Sequence, residues 1–279
     1  MSVKIIIDST ADITPEIRDR FSIVPLTIRF GEEDYIDGVT ITHQEFYEKL
    51  ITSDVLPTTS QPTPASFAEA FEAEISQGNQ VVAITISSKL SGTYQSACIA
   101  AMDFPGQVFV VDSQSAALGS GILAQLALQL ADSGMGAAEI AEELTQQRER
   151  IVLLAIIDTL EYLKKGGRIS KTVAFAGELL SIKPMISVPG GEISVIGKAR
   201  GAKQGNAMLI KRIEEDNPDL DMPFLLGYAG TSDAPLLKFA EDSSPLWSSH
   251  SGELPATIIS SVVGTHIGPG AVAVAYFKK

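Results

Sequence analysis

Short unbroken runs of β-branched and aliphatic residues alternate along the first half of the chain with longer stretches in which apolar positions recur every three or four residues. Residues 3–7 form the first run and close on the polar turn Asp8-Ser9-Thr10-Ala11-Asp12. Residues 81–86, 108–111 and 151–157 repeat the pattern, apolar enough to be buried on both faces. A further apolar run covers 23–28. Between the runs, Thr14-Pro15-Glu16 has the hydroxyl, proline and acid of a helix start. Thr42-His43-Gln44-Glu45 reads as a capping box, which predicts a helix to about residue 51 and leaves His43 in its exposed first turn. Residues 57–64, with three prolines, are expected to lack regular structure. Helices are predicted from Thr63-Pro64 to about 77, from the Ser91-Gly92-Thr93 turn to 102, and over 116–132 and 137–150. Strands and helices alternating at this spacing predict a parallel α/β layer, whose ligands bind beyond the carboxyl ends of the strands.

The pattern changes after about residue 160. A short helix, a Gly166-Gly167 stop and Arg168 are followed by two runs, 182–188 and 193–196, that flank Pro189-Gly190-Gly191-Glu192 as a hairpin would. A helix over 203–215 and strands over 224–228, 257–262 and 271–277 complete the reading. The expected fold class is α/β with two domains: a Rossmann-like parallel domain over 1–162, and an α+β domain with a partly antiparallel sheet over 163–279.

Composition narrows the function. Of 279 residues, 45% are hydrophobic and 20% charged, which supplies a sizeable core. A net charge of −13 opposes binding to nucleic acid or to anionic membrane surfaces. A single cysteine, Cys98, excludes an internal disulfide or a cysteine-based metal cluster and reads as a small buried hydrophobe; no metal site is expected. No apolar run approaches the roughly 18 residues of a membrane span, and residues 1–5 lead straight into a strand without signal-peptide organisation. A cytoplasmic protein is expected, with no stable membrane insertion.

Two features carry candidate chemistry. Gly264-Thr265-His266-Ile267-Gly268-Pro269-Gly270 places one of three histidines among three glycines, as a tight loop pressed against a ligand would, or as a structural turn with an incidental histidine. Three strand runs end in hydroxyls, at Ser9-Thr10, Ser87-Ser88 and Ser113, where capping is the alternative role. A hydrolase would need Ser91 or Ser88 with His266 and an acid such as Asp8 or Asp112, but no Gly-x-Ser-x-Gly elbow is present. A kinase would need a phosphate loop, also absent; Asp8 and Asp12 could hold Mg²⁺ but more often such a pair caps a turn.

Taken in order, Asp8-Ser9-Thr10-Ala11-Asp12, Thr59-Ser60-Gln61-Pro62, Ser87 to Tyr94, Val111-Asp112-Ser113, Tyr162 to Ser170, Ile182-Lys183-Pro184 and Gly264 to Gly270 resemble the DegV family over nearly the whole chain. The resemblance implies a long-chain fatty acid in a buried tunnel, with no other cofactor. It further implies a non-catalytic carrier that presents the carboxylate to a separate fatty acid kinase, a relative of dihydroxyacetone kinases, for acyl-phosphate formation. Matched residue by residue, it assigns the carboxylate to Thr59, Ser91 and His266. Arg168 and Arg200, with Gly92 and Ser60, fall at positions near the ligand head or on the kinase-facing surface. Apolar stretches at 122–130, 175–180 and Val262-Val263 are candidates for the tunnel wall, each equally able to be plain core.

Overall fold

The computed structural model describes residues 2–169, 182–248 and 250–279. In chain order the strands are β1 (Val3–Asp8), β2 (Ser22–Val24), β3 (Thr27–Phe30), β4 (Glu33–Ile36), β5 (Thr58–Ser60), β6 (Gln80–Thr85), β7 (Val108–Asp112), β8 (Ile151–Ile156), β9 (Ile182–Ser187), β10 (Ser194–Arg200), β11 (Leu225–Tyr228), β12 (Ala256–Ile258) and β13 (Val272–Phe277). The helices are α1 (His43–Thr52), α2 (Pro64–Ile75), α3 (Thr93–Ala101), α4 (Ala117–Asp132), α5 (Ala137–Gln147), α6 (Glu161–Lys165), α7 (Gly201–Asp216), α8 (Ala234–Asp242) and α9 (Ser261–Ile267).

β2-β1-β6-β7 form a parallel sheet in that order. The alternation of side chains splits its residues between two cores: Ile6, Val81 and Ala83 face Phe67 and Phe71 of α2, while Ile5, Ile7, Val82 and Ile84 face the other way. A mixed sheet runs β10-β9-β8-β13-β11-β12, antiparallel except for β11 with β12. Its residues divide in the same manner. Val272, Val274 and Tyr276 pack with Leu209 of α7 and Phe239 of α8; Ala273, Ala275 and Ala155 turn towards the parallel sheet.

α4 fills the space between the two sheets and packs on strands of both. Residues 117–124 are buried on every side, as turns covered all round must be, while Gln125, Gln129 and Asp132 give the rest of the helix a polar stripe. Its close approach depends on glycine: a Cβ at Gly121 would lie 1.7 Å from the carbonyl oxygen of Asp12. The lead into α4 holds two non-glycine residues at positive φ, Gln114 (48°) and Ala117 (50°), an uncommon and costly conformation kept in place by the surrounding packing.

Several expectations need correction. β8 does not join the parallel layer; it pairs antiparallel with β9 and β13, so the chain has entered the mixed sheet before residue 162. Residues 15–20 form a 3₁₀ segment whose Thr14 makes no capping bond. The proline-rich stretch contains β5, which pairs antiparallel with β3 in a small sheet ordered β4-β3-β5. Residues 257–262 are not one strand; β12 ends at Ile258 and α9 starts at Ser261. Cys98 is half-buried, not fully enclosed. The α1 capping box is present, but His43 is not exposed: it is half-buried with Nε2 3.6 Å from Asp37. Serine 170 and the stretch 175–180 lie outside the described residues.

Candidate functional site

The cavity of interest opens at the carboxyl edge of the parallel sheet, where the connections after β6 and β7 supply Ile86, Leu90, Ser91 and Ala116. β5 adds Thr59, α9 adds Val262, Val263 and His266, and the segment from α6 adds Leu163 and Arg168. The cavity volume is about 50 Å³, well below the roughly 300 Å³ at which pockets for drug-sized ligands begin.

Thr59 reaches this space because the short strand β5 alternates. Thr59 is the inward residue, while Thr58 and Ser60 on either side are exposed. Its Oγ1 lies 3.0 Å from Nε2 of His266 across 207 positions of sequence. His266 occupies the last turn of α9; it is not on a loop, as the glycine pattern had suggested. Gly268 (φ 72°) and Gly270 (φ 87°) follow the helix and turn the chain into β13. Two of the glycines nearby serve close approach. A Cβ at Gly166 would lie 2.3 Å from Nδ1 of His266, and one at Gly268 would lie 2.4 Å from the ring of Tyr162.

The imidazole is neutral at pH 7. Burial, then the charge of Arg168, push its pKa down to about 4; a carboxylate placed beside the ring would push it back up. Nδ1 is buried and has no hydrogen-bond partner. With the proton on Nε2, the ring donates to Thr59 Oγ1, and the Thr59 hydroxyl keeps its own hydrogen for another acceptor. With the proton on Nδ1, Thr59 spends that hydrogen on the ring.

Ser91 lines the cavity but is partly engaged: its hydroxyl lies 2.9 Å from Thr93 Oγ1 and accepts from the Thr93 amide at 3.3 Å. Gln61 packs on Gly92, its side-chain oxygen 2.2 Å from where a Cβ would stand, and the Gln61 amide donates to Ser96 Oγ. Half-buried Arg168 donates to the carbonyls of Leu90 (3.2 Å) and Gly166 (2.7 Å), which fix a positive charge in the cavity wall. Arg200 is exposed at the start of α7 and does not line the cavity; Ser60 points away from it.

The hydroxyls at the strand ends hold the scaffold together. Asp8 accepts from the Thr10 amide and hydroxyl and from the Ile86 amide (2.7 Å), joining the ends of β1 and β6. Ser87 donates to the carbonyl of Gly191 (2.8 Å), tying the β9–β10 turn to the parallel sheet. Ser113 pairs with Ser120. Asp112 accepts from the amides of Ser88 and Gln114. Among the described residues the side-chain partner of His266 is Thr59, and the Ser91 hydroxyl is bonded to Thr93 and not to the imidazole that a serine nucleophile would use as its base. Among the described residues no group of three or more His, Cys, Asp or Glu could hold a metal ion, and no helix is long and apolar enough to cross a membrane.

The cavity residue Ile193 carried no signal in the sequence, and Leu90 and Leu163 fell within family-like segments without being named for the wall, since isolated apolar residues beside a turn look like any core position. Val262 and Val263 were named as wall candidates and do line the cavity. The stretch 122–130 belongs to α4 and does not.

A parallel sheet and a mixed sheet around a shared helix, with a polar cluster over an apolar cavity at the parallel sheet's carboxyl edge, define an α/β protein built around two large sheets. The chain belongs to the DegV family: the model of that family, described as "Uncharacterised protein, DegV family", matches residues 2–279. DegV domain-containing proteins of Deinococcus radiodurans and Clostridium perfringens are 34% and 33% identical, over 99% of this chain and 98% and 99% of theirs. Among solved structures, a fatty-acid-binding DegV family protein of Thermus thermophilus superposes with a TM-score of 0.87 at 31% identity, covering all of both chains. A stearic-acid-binding protein of Eubacterium ventriosum gives 0.86 at 28% identity, over 99% of this chain and 98% of that one. DegV of Bacillus subtilis, described as a fatty acid binding protein, gives 0.83 at 28% identity over all of both chains.

Proposed function

We propose that this protein binds a long-chain fatty acid, with the carboxylate at Thr59, Ser91 and His266 and the chain against the apolar wall. The observation that carries the reading is the meeting of Thr59 and His266 at 3.0 Å in a cavity that Ser91 and Arg168 also line and that is otherwise apolar. The two ends of such a ligand have opposite needs. Burying a sixteen-carbon chain gains on the order of 10 kcal/mol before ordering costs, at roughly 0.8 kcal/mol per methylene. Burying its carboxylate costs several kcal/mol unless donors and charge meet it. The Thr59 hydroxyl, freed by the Nε2–H tautomer of His266, is one donor. Ser91 is a second once it gives up Thr93, and Arg168 supplies the charge. A chain of that length needs more room than the cavity holds, so loading has to part its apolar wall, to which Leu90, Leu163, Val262 and Ile193 come from four different segments.

In this reading the protein is a carrier in the cytoplasm and performs no chemistry alone. It presents the carboxylate to a separate fatty acid kinase, with exposed Arg200 on the surface available for docking. The solved relatives described as fatty acid binding support the choice of ligand.

The test is solvent extraction of the purified protein with mass analysis of what is released, repeated on Thr59→Ala, Ser91→Ala and His266→Ala. The expected result is a long-chain fatty acid from the wild type and lower occupancy in each variant, by about 1–3 kcal/mol per lost donor. Full occupancy in all three would overturn the assignment. The protein with ATP, Mg²⁺ and oleate, but no kinase, is expected to give no acyl phosphate; product would make it an enzyme.

A further inference from the structure

The imidazole of His266 depends on where α9 sits, and α9 is fastened at the end away from it. The amide of Ser260, just ahead of the first helical residue, donates to Oδ1 of Asp12 at 2.9 Å, across 248 positions of sequence. One residue earlier, the carbonyl of Ile259 accepts from the Tyr47 hydroxyl at 3.1 Å. Asp12 and Tyr47 are both buried, and both come from the first 50 residues. The helix then lies on the aromatic pair of α1: a Cβ at Gly264 would fall 2.5 Å from the Tyr47 oxygen and 2.8 Å from the Phe46 ring.

A helix of seven residues has no stability by itself, so its place is set by what holds it. His266 lies six residues beyond Ser260, about 9 Å along the axis. Over so short a length a helix moves as a rod, and a shift at Ser260 is passed to the imidazole. A displacement of about 1 Å takes a 3.0 Å contact with Thr59 out of hydrogen-bond range.

We propose that Asp12 and Tyr47 are positioning residues for the carboxylate site: they anchor the N-terminal end of α9 so that His266 Nε2 meets the Thr59 hydroxyl, and neither touches the ligand. The proposal rests on the fatty acid reading above and adds two residues to it from outside the cavity. What the anchoring needs from this buried side chain is one oxygen, Oδ1, to receive the Ser260 amide. An asparagine carries the same acceptor in the same place.

The test uses the full chain and two readouts: displacement of a fluorescent fatty acid by oleate, and the ¹⁵N resonance of His266 Nε2 in ligand-stripped protein. Asp12→Ala is expected to weaken retention about tenfold, the equivalent of one lost hydrogen bond, and to shift the His266 resonance. Asp12→Asn is expected to restore both to within about twofold of wild type, and Tyr47→Phe to move both in the direction of Asp12→Ala. Folded Asp12→Ala with wild-type retention and an unmoved resonance would overturn the proposal. If Asp12→Ala does not fold, Tyr47→Phe decides, and an unmoved resonance there overturns it equally. The resonance is read without ligand, so positioning is tested even if Thr59→Ala shows that the carboxylate binds elsewhere.

Discussion

At the scale of single residues, the site works by close approach as much as by chemistry. Gly166 has ordinary helical backbone angles (φ −72°, ψ −11°), so alanine there is free of backbone strain. Its methyl group would fall 2.3 Å from His266 Nδ1, with a lesser contact of 3.2 Å to the Tyr162 carbonyl oxygen. Gly166→Ala is therefore expected to leave the fold intact, push the ring away from Thr59 and weaken fatty acid retention by about 1–3 kcal/mol. Native mass spectrometry of bound lipid would check this; unchanged occupancy would mean the ring placement does not matter. The same imidazole makes an acid-sensitive contribution. Its folded pKa of about 4 lies below the unfolded value near 6.5, so the unfolded chain takes up the proton first as pH falls. Stability from His266 is fully present above pH 6.5 and is lost between 6.5 and 4, by roughly 3 kcal/mol. Buried Asp12, its pKa pushed up to about 8 by desolvation, acts in the opposite sense, losing stability as pH rises. Urea unfolding of wild type against His266→Gln separates the two: the difference should shrink in the variant's favour from pH 7 to pH 4. Of the polar residues at the site, His266 stood out in the sequence as a rare residue type among glycines, while Thr59, Ser91 and Arg168 were singled out only by the resemblance to the DegV family. Their convergence was not legible, since 207 positions separate Thr59 from His266 and no local rule brings them together.

At the scale of elements, α4 and α9 are short of ordinary freedom for different reasons. α4 lies between two sheets, and the Gly121 backbone meets the carbonyl of Asp12 with no space for a methyl. The neighbour is backbone and cannot rotate away. Gly121→Ala is expected to destabilise the protein by about 1–3 kcal/mol or more, although alanine favours a helix by up to about 1 kcal/mol over glycine. A thermal melt lowered by several degrees would confirm it, and a raised melting temperature would show that α4 is not packed as described. α1, by contrast, follows directly from local chemistry: the Thr42–Glu45 capping box reads from the sequence and is present in the fold. α9 was read as a loop because three glycines in seven residues look like turn chemistry. In the fold Gly264 lies inside the helix, there for the aromatic pair of α1, and Gly268 ends it. Glycine selected for thinness and glycine selected for positive φ look alike in a sequence.

At the scale of the whole molecule, the shared helix couples the two sheets. The apolar face of the parallel sheet, α4, and the alanine face of the mixed sheet form one continuous core. Neither sheet can expose α4 without exposing the other's inner face, so calorimetry is expected to show one cooperative unfolding transition. Two resolved transitions would mean that the sheets are stabilised independently. The Ser87–Gly191 bond and the Lys89–Glu192 pair tie the β9–β10 turn to the same edge of the parallel sheet that bears the cavity, and Ile193 enters the wall from that turn. The sequence by itself determined most of the apolar runs that become strands and the capping box that starts α1, because each depends on contacts only a few residues apart. Tertiary structure alone decided that β8 belongs to the second sheet, that β5 forms at all, that His266 is neutral, and that Asp12 reaches Ser260. Each of these rests on burial or pairing between segments far apart in the chain, where the deciding quantity is what surrounds a group once the core has closed.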